Sequence, residues 1–286
     1  MKKPLCSILI TTYNSIASIK QSMESVLNQI DDSFEVIVVD NFSNDGTLKY
    51  LRQLADEGKI RLIVRRCNRG EGRQLALKEA RGRYVIARVD VDTVHNPVFK
   101  EILKLYIEKE GEIGEFVLNA GVLVSTKDFL LKIGGWRPLQ WGENYELYKR
   151  LIDMGKLYVC RIEEASKHIK CKWNLTKRLK VAYVNYRDSL RMGLRFRVVA
   201  KELWKRCSKL GFLIRFIILC ICWITHHFYT KYSTFKDTSW KEFYDLKMYS
   251  DELNFFEVYH PDKVIPPPPS IPKYPKMKTI FIGDEK

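Results

Sequence analysis

The chain has 286 residues, and its 49 Lys+Arg against 34 Asp+Glu give a formal charge of +15. That length allows one large domain or two small ones, and 46% apolar with 29% charged residues excludes a disordered chain. A surplus of cations this large points to nucleic acid, an anionic membrane or phosphorylated ligands.

Strand-like and helix-like segments alternate from the start. Ser7–Thr12 reads as a short apolar strand, and Ser15–Gln29 places Ile16, Ile19, Met23, Val26 and Leu27 at helical spacing. Phe34–Asp40 is a β-branched strand ending in Asp. Asp45–Glu57 is a helix stopped by Gly58. Ile60–Arg66 is a third strand, Gly72–Arg81 a helix stopped by Gly82, and Tyr84–Asp90 a fourth strand. This order predicts an α/β fold with a parallel sheet covered on both faces, and ligands in such sheets sit at the carboxyl ends of the strands. Beyond it, Pro97–Lys109 reads as a helix, Phe116–Ser125 as one strand, and Thr126–Ile133 as a helix capped by Thr126 and stopped at Gly134-Gly135. After a loop over Trp136–Gly142 comes a helix over Glu143–Met154. Val181–Leu210 reads as a basic amphipathic helix pair interrupted near Gly193, and a proline-rich tail holds seven of the ten prolines between Pro261 and Pro275.

The charge is localised. Residues 1–160 hold 24 basic and 21 acidic side chains, residues 161–215 hold 16 and 4, and residues 216–286 hold 9 of each. The basic segment runs into Phe216–Ile224, nine uninterrupted apolar residues, where a bilayer span needs about 20. Extending the stretch to Phe212–Tyr229 reaches 18 residues but takes in Arg215, Thr225, His226 and His227. A single span, a helix lying in the membrane interface and a buried core helix all remain open, and the adjoining basic run favours membrane contact. The start, Met1-Lys2-Lys3-Pro4, leads into only a strand's length of apolar residues, so no secretory leader is expected. The seven cysteines show no paired-ligand spacing and read as reduced thiols of a cytosolic compartment.

All four predicted strand ends are polar. Thr11-Thr12-Tyr13-Asn14 follows the first, Asp40–Thr47 the second, Asn68–Arg73 the third and Asp90-Val91-Asp92 the fourth. If Asp90-Val91-Asp92 is extended, its carboxylates share a face, and two such carboxylates repel unless a cation lies between them. A hard divalent ion bridged to substrate phosphates suits that position. Asp40 reads either as an Asx turn or as an acceptor of hydrogen bonds from a base or ribose. Arg69 and Arg73, in a glycine-broken loop, suit phosphate contact. Gly70 and Gly72 do not form a dinucleotide fingerprint, and no zinc-finger or RNP-like motif supports nucleic-acid binding.

Taken together, five ordered motifs resemble the family 2 glycosyltransferases, which are inverting enzymes of the GT-A fold. They are Ser7–Asn14, Val38–Thr47, Asn68-Arg69-Gly70 through Tyr84, Asp90-Val91-Asp92, and Gly134-Gly135-Trp136 with Gly142–Leu147. The resemblance covers residues 5–160 and extends in part to about residue 200. It implies that Thr11, Tyr13, Asp40 and Arg73 face the nucleotide of a nucleotide-diphosphate sugar. It also implies that Asp90 and Asp92 hold Mg²⁺ or Mn²⁺ on the diphosphate, and that His168 lies near the metal. The division it suggests is a GT-A core over 1–160, a basic and apolar helical membrane-proximal region over 161–260, and the tail over 261–286.

One position departs from the family pattern. Relatives carry Glu-Asp at the head of the acceptor-side helix with the Asp as general base, whereas this chain has Glu143-Asn144, and an amide cannot take the proton. Glu143 or Glu146 then substitutes as base, or the acceptor is a polyprenyl phosphate that needs little deprotonation, or the chain is a weak or inactive nucleotide-sugar binder. Glu143 is favoured as the adjacent residue, against the plainer role of complementing the helix N-terminus. Trp136 and Trp141 read equally as acceptor-stacking platforms or core anchors. The expectation is a metal-dependent glycosyltransferase at the cytoplasmic face of a membrane, peripheral or single-span, acting on a lipid-linked or glycan acceptor.

Overall fold

The computed structural model describes residues 3–159, 166–169, 175–206, 209–229, 231–236 and 278–279. The apolar run Cys6–Thr12 forms β1, buried almost throughout, as a central parallel strand must be. It pairs in parallel with β2 (Phe34–Asp40), which pairs with β3 (Arg61–Val64), and on its other side with β4 (Tyr84–Val89). Helices α1 (Ile16–Leu27), α2 (Thr47–Asp56) and α3 (Arg69–Glu79) make the crossovers. Across β4 the sheet turns mixed. After the short β5 (Thr93–His95) and α4 (Phe99–Ile113), the single strand expected over 116–125 is a hairpin of β6 (Val117–Asn119) and β7 (Leu123–Thr126), with β7 antiparallel to β4. Gly121, at φ +78, allows the tight reversal, and Asn119-Ala120-Gly121 interrupts the apolar pattern where it falls.

Thr126 caps α5 (Lys127–Lys132), accepting from the Phe129 N–H, and α6 (Glu143–Asp153) leads to β8 (Leu157–Val159) beside β6. Two residues, Lys278–Thr279, form β10 alongside β8, so the eight-stranded order is β10-β8-β6-β7-β4-β1-β2-β3. A separate ribbon joins β5 to β9 (Ser166–His168). The strands' alternation divides the core. Ile8, Ile10, Val36 and Val38 pack with Ile19, Met23, Phe99 and Ile102 on the α1 and α4 face, while Leu9, Ile37 and Val39 pack with Ala76, Leu77 and Leu147 on the α3 and α6 face.

That second cluster continues into the C-terminal helices α7 (Leu175–Arg191), α8 (Phe196–Arg206) and α9 (Lys209–Thr225), through Leu190, Val199, Leu203, Leu219 and Cys222. The break near Gly193 falls where the sequence placed it. α9 buries one face through Leu219 and Cys222 and exposes the other through Leu213, Ile217, Ile221 and Ile224, so it is not a core helix buried all round. No helix among the described residues is long and apolar enough to cross a membrane, which leaves no described candidate for the single span. The proline-rich tail lies outside the described residues, apart from Lys278–Thr279.

Near the carboxyl end of α3 a polar knot ties strands together. Glu35 accepts from the Ser7 hydroxyl (2.6 Å), the Arg81 N–H (2.6 Å) and the Arg61 guanidinium (2.9 Å), while Gly82 N–H donates to Ser7 Oγ (2.9 Å). Gly82 cannot be replaced without strain, since a Cβ there would lie 2.8 Å from the Cys6 carbonyl carbon and the Ser7 nitrogen. Burial opposes the charge of Glu35, but these donors outweigh it and hold its carboxyl below the usual glutamate range. Stability from this knot is therefore complete above the unfolded-state pKa and is lost as pH falls through the lowered native value. Glu35→Gln is expected to remove about 1–3 kcal/mol at neutral pH, with the deficit shrinking in acid, as denaturant unfolding across pH would measure.

Candidate active site

The site lies at the carboxyl ends of β1, β2 and β4, and two loops form its first wall. Asn14 N–H donates to Ser43 Oγ (2.8 Å), Asn44 N–H to Asn14 Oδ1 (2.9 Å), and Ser15 N–H to Thr47 Oγ1 (2.8 Å). Asp45 accepts from the Ile16 and Thr47 N–H groups and the Thr47 hydroxyl, so one carboxylate serves the first turns of both α1 and α2. Over this braced floor Tyr13 is exposed, while Thr11 is half-buried with its methyl against Gly72. Asp40 is fully buried, and its two oxygens accept from Ser43 N–H (2.9 Å) and Ser43 Oγ (2.6 Å). Both bonds run to the residue three positions on, so Asp40 braces the loop under the pocket.

The second wall is charged. β4 carries a bulge against β1, and Arg88 within it has φ +60, in the left-handed region that a long side chain rarely adopts. The strand ends at Val89, and Val91 and Asp92 form a turn before β5. The two carboxylates of Asp90-Val91-Asp92 therefore do not share the face of an extended strand. The bulge and the turn break the two-residue alternation, leaving Asp90 half-buried and Asp92 exposed. β9 runs back along this turn with His168 opposite Thr93, and Ile169 N–H donates to the Asp92 carbonyl (2.7 Å). The backbone of His168 is thus brought beside the motif, while the position of its ring lies outside what is described.

Arg73 joins the two halves of the site. It comes from α3, which starts earlier than expected because Asn68 and Glu71 form a reciprocal capping box. Only 3% exposed, it donates through Nη2 to Asp90 (3.0 Å) and through Nη1 to Asn144 Oδ1 (2.5 Å), and Nη1 lies 3.4 Å from the Glu143 carboxylate. Against the burial that opposes its charge, Asp90 is held below the ordinary carboxylate range by Arg73 first, then Arg69, Arg88 and His95. The Glu143 carboxylate in turn raises the pKa of Arg69. The sequence had aimed Arg73 at the nucleotide, but all its described polar contacts go to these three side chains.

The loop over residues 136–142 is positioned as firmly. Gly70 N–H donates to the Leu139 carbonyl (2.8 Å), and a Cβ on Gly70 would lie 1.9 Å from the Arg137 carbonyl oxygen. Trp136 is 2% exposed and donates its indole N–H to Asn144 Oδ1 (2.9 Å), so it is a core anchor; Trp141 is half-buried, edge-on to Tyr145. Asp188 of α7, fully buried, accepts from the Gln140 and Trp141 N–H groups (2.8 and 2.9 Å). Glu146 is also fully buried, and its oxygens take Arg150 and the Thr234 hydroxyl (2.8 Å). It is a structural clamp with no oxygen open to an acceptor, which leaves Glu143 as the candidate base. Sequence reasoning missed Arg88 and His95, whose Nε2 lies 3.4 Å from the Asp90 carbonyl oxygen; an arginine inside the apolar run Tyr84–Val89 was the available signal.

A mostly parallel sheet carries this acidic and basic constellation at its strand ends. The family model for glycosyl transferase family 2 matches residues 7–160, and the chain belongs to that family. An uncharacterized glycosyltransferase of Haemophilus influenzae is 31% identical over 113 residues, 38% of this chain and 35% of the relative. The Escherichia coli UDP-Glc:alpha-D-GlcNAc-diphosphoundecaprenol beta-1,3-glucosyltransferase WfaP is 37% identical over 89 residues, 31% of this chain and 35% of the relative. The chain's matches thus span about a third of the length of these curated relatives. Among solved structures, Staphylococcus aureus TarS 1–349 in complex with UDP-GlcNAc superposes with a TM-score of 0.53 at 17% identity, covering 87% of this chain and 81% of that one, a likeness of fold.

Proposed function

We propose that the chain moves a sugar from a nucleotide-diphosphate donor to a lipid-linked or glycan acceptor, with inversion, at the cytoplasmic face of a membrane. The observation that carries this reading is the single buried guanidinium of Arg73, which has Asp90 on one side and Glu143 on the other. On this reading one guanidinium holds a donor-side carboxylate, Asp90, and an acceptor-side carboxylate, Glu143. Tyr13 and Thr11, over the floor shaped by Asp40, would take the nucleotide, and Glu143 would remove the proton of the attacking hydroxyl.

Among the described residues no three His, Cys, Asp or Glu side chains converge as a complete metal cage. A half-buried, ionised Asp90 and an exposed Asp92 nevertheless suit a hard ion whose other positions go to substrate phosphates. These two residues would hold Mg²⁺ or Mn²⁺, which supplies charge neutralisation for the departing nucleoside diphosphate. Asp92→Asn is expected to lower turnover by about 10²–10³-fold and to weaken donor affinity; undiminished turnover would remove the metal assignment.

The exposed apolar face of α9, beside the basic run, would rest on an anionic membrane surface, with residues 161–260 as the membrane-proximal region. WfaP, by its name, acts on a diphosphoundecaprenol-linked sugar, which supports a lipid-linked acceptor here. Asn144 favours a second reading, in which the acceptor is a polyprenyl phosphate that needs no base, and failing any transfer the chain is a nucleotide-sugar binder. Supplying polyprenyl phosphate with the donor and assaying for a sugar-phosphate lipid separates these readings.

A further inference from the structure

We propose that the chain has a second ligand site, a cleft for a membrane lipid with a phosphate head group. The cleft, of about 910 Å³, lies where the α7–α8 turn meets the end of α9. Leu194, Phe196, Trp223 and Ile224 supply apolar walls, and Arg195, Arg197, Lys231 and Lys236 supply cations; no carboxylate is among its described lining residues. Arg197, Lys231 and Lys236 are exposed, and no described carboxylate lies within ion-pair distance of them. Apolar walls with four cations, and no carboxylate among the described lining residues, match an amphiphile with an anionic head and a hydrocarbon tail.

The cations are gathered by the fold. Gly193 has φ +103, and a Cβ on it would lie 2.8 Å from the Tyr232 carbonyl oxygen, so residues 231–236 can be laid directly over the turn. Tyr232 N–H donates to the Arg191 carbonyl (2.6 Å), Phe235 N–H to the Met192 carbonyl (3.0 Å), and Arg195 Nε to the Lys236 carbonyl (3.2 Å). Lys231 and Lys236 are thereby fixed against the turn that carries Arg195 and Arg197. The walls run into the exposed apolar face of α9, since Trp223 and Ile224 belong to both and Ile221 and Phe228 adjoin them. A lipid could pass from a bilayer into the cleft without leaving apolar surface. Asp188, in the last turn of α7 just before it, holds the Gln140-Trp141 backbone, so an occupied cleft would steady the loop that leads to Glu143.

The proposal rests on the reading of α9 as membrane-facing, and soluble lipid separates the two. Monodisperse dihexanoyl phosphatidic acid is titrated into the full chain by calorimetry, beside inorganic phosphate and dihexanoyl phosphatidylcholine. The expected result is binding of phosphatidic acid at least about tenfold tighter than either control, weakened about twentyfold by Arg197→Ala with Lys231→Ala. Both residues are exposed, so the change removes charge and leaves the core intact. Equal binding of inorganic phosphate, equal binding by the double variant, or no binding by the full chain would each overturn the site. In parallel, Leu213→Glu with Ile217→Glu, both exposed and outside the cleft lining, should stop sedimentation with phosphatidic-acid vesicles and leave the soluble-lipid affinity unchanged. If the unaltered protein ignores vesicles yet binds the soluble lipid, the membrane reading fails and the cleft stands.

Discussion

Glu143→Gln is expected to lower kcat by about 10²–10⁴-fold while leaving the donor KM nearly unchanged. The side chain is 2% exposed at the first residue of α6, with Arg73 3.4 Å from its carboxylate. Glutamine keeps the size and an oxygen for Arg73 but cannot accept a proton, so binding survives and proton removal does not. Steady-state kinetics over both substrates would show this split, since an interaction made only in the transition state lowers kcat and kcat/KM together. The neighbouring Glu146→Gln makes the contrast. Glu146 is fully buried between Arg150 and Thr234, so its loss should lower the unfolding free energy by about 1–3 kcal/mol. If Glu143→Gln retains full turnover, the proton has no need of a carboxylate, and the polyprenyl-phosphate reading prevails.

The helices and strands that build the donor half were legible because their signals are local. β1 and β2 are short, mostly apolar and β-branched runs, α1 repeats at helical spacing, and the glycines at 58 and 82 fall where the helices stop. Even the earlier start of α3 was written in Asn68 and Glu71, a capping pair three residues apart whose meaning the flanking glycines obscured. What did not show was set by distant contacts. The positive φ of Arg88 and the bulge around it depend on β1 on one side and on Asn119 and Tyr148, which its guanidinium meets at 3.4 and 3.3 Å, on the other. That bulge takes Asp90-Val91-Asp92 out of the strand. Strand alternation misjudged the arrangement of the two acids. Nor does spacing reveal that Arg73 and Asn144, 71 positions apart, meet at 2.5 Å, or that Asp188 reaches back to fasten the backbone of Gln140 and Trp141. The residue types of the site were readable; their partners required the packed fold.

Arg73→Leu should cost about 3–5 kcal/mol of stability, the magnitude of breaking a buried ion pair by removing one partner. Asn144 loses its 2.5 Å donor, Asp90 its 3.0 Å donor, and the buried Glu143 its contact. Thermal melting should fall by about 10 °C. A pH signature accompanies the loss. Arg73 is the foremost of the cations that depress the Asp90 pKa, so its removal raises that pKa. The stabilisation by ionised Asp90, present above its unfolded pKa and lost as pH falls through the native one, would then be lost at a higher pH than in the parent. Donor affinity should weaken at correspondingly higher pH, as titration with a nucleotide-sugar would show. The double variant Arg73→Leu with Glu143→Leu separates stability from chemistry. Removing both partners no longer strands a buried charge at Glu143, so it should recover part of the stability lost by Arg73→Leu alone. It should recover no transfer, because the base is gone. Recovery of both would mean that Arg73 and Glu143 serve only as a structural pair; a stability regained without activity is what a guanidinium shared between donor and acceptor carboxylates requires.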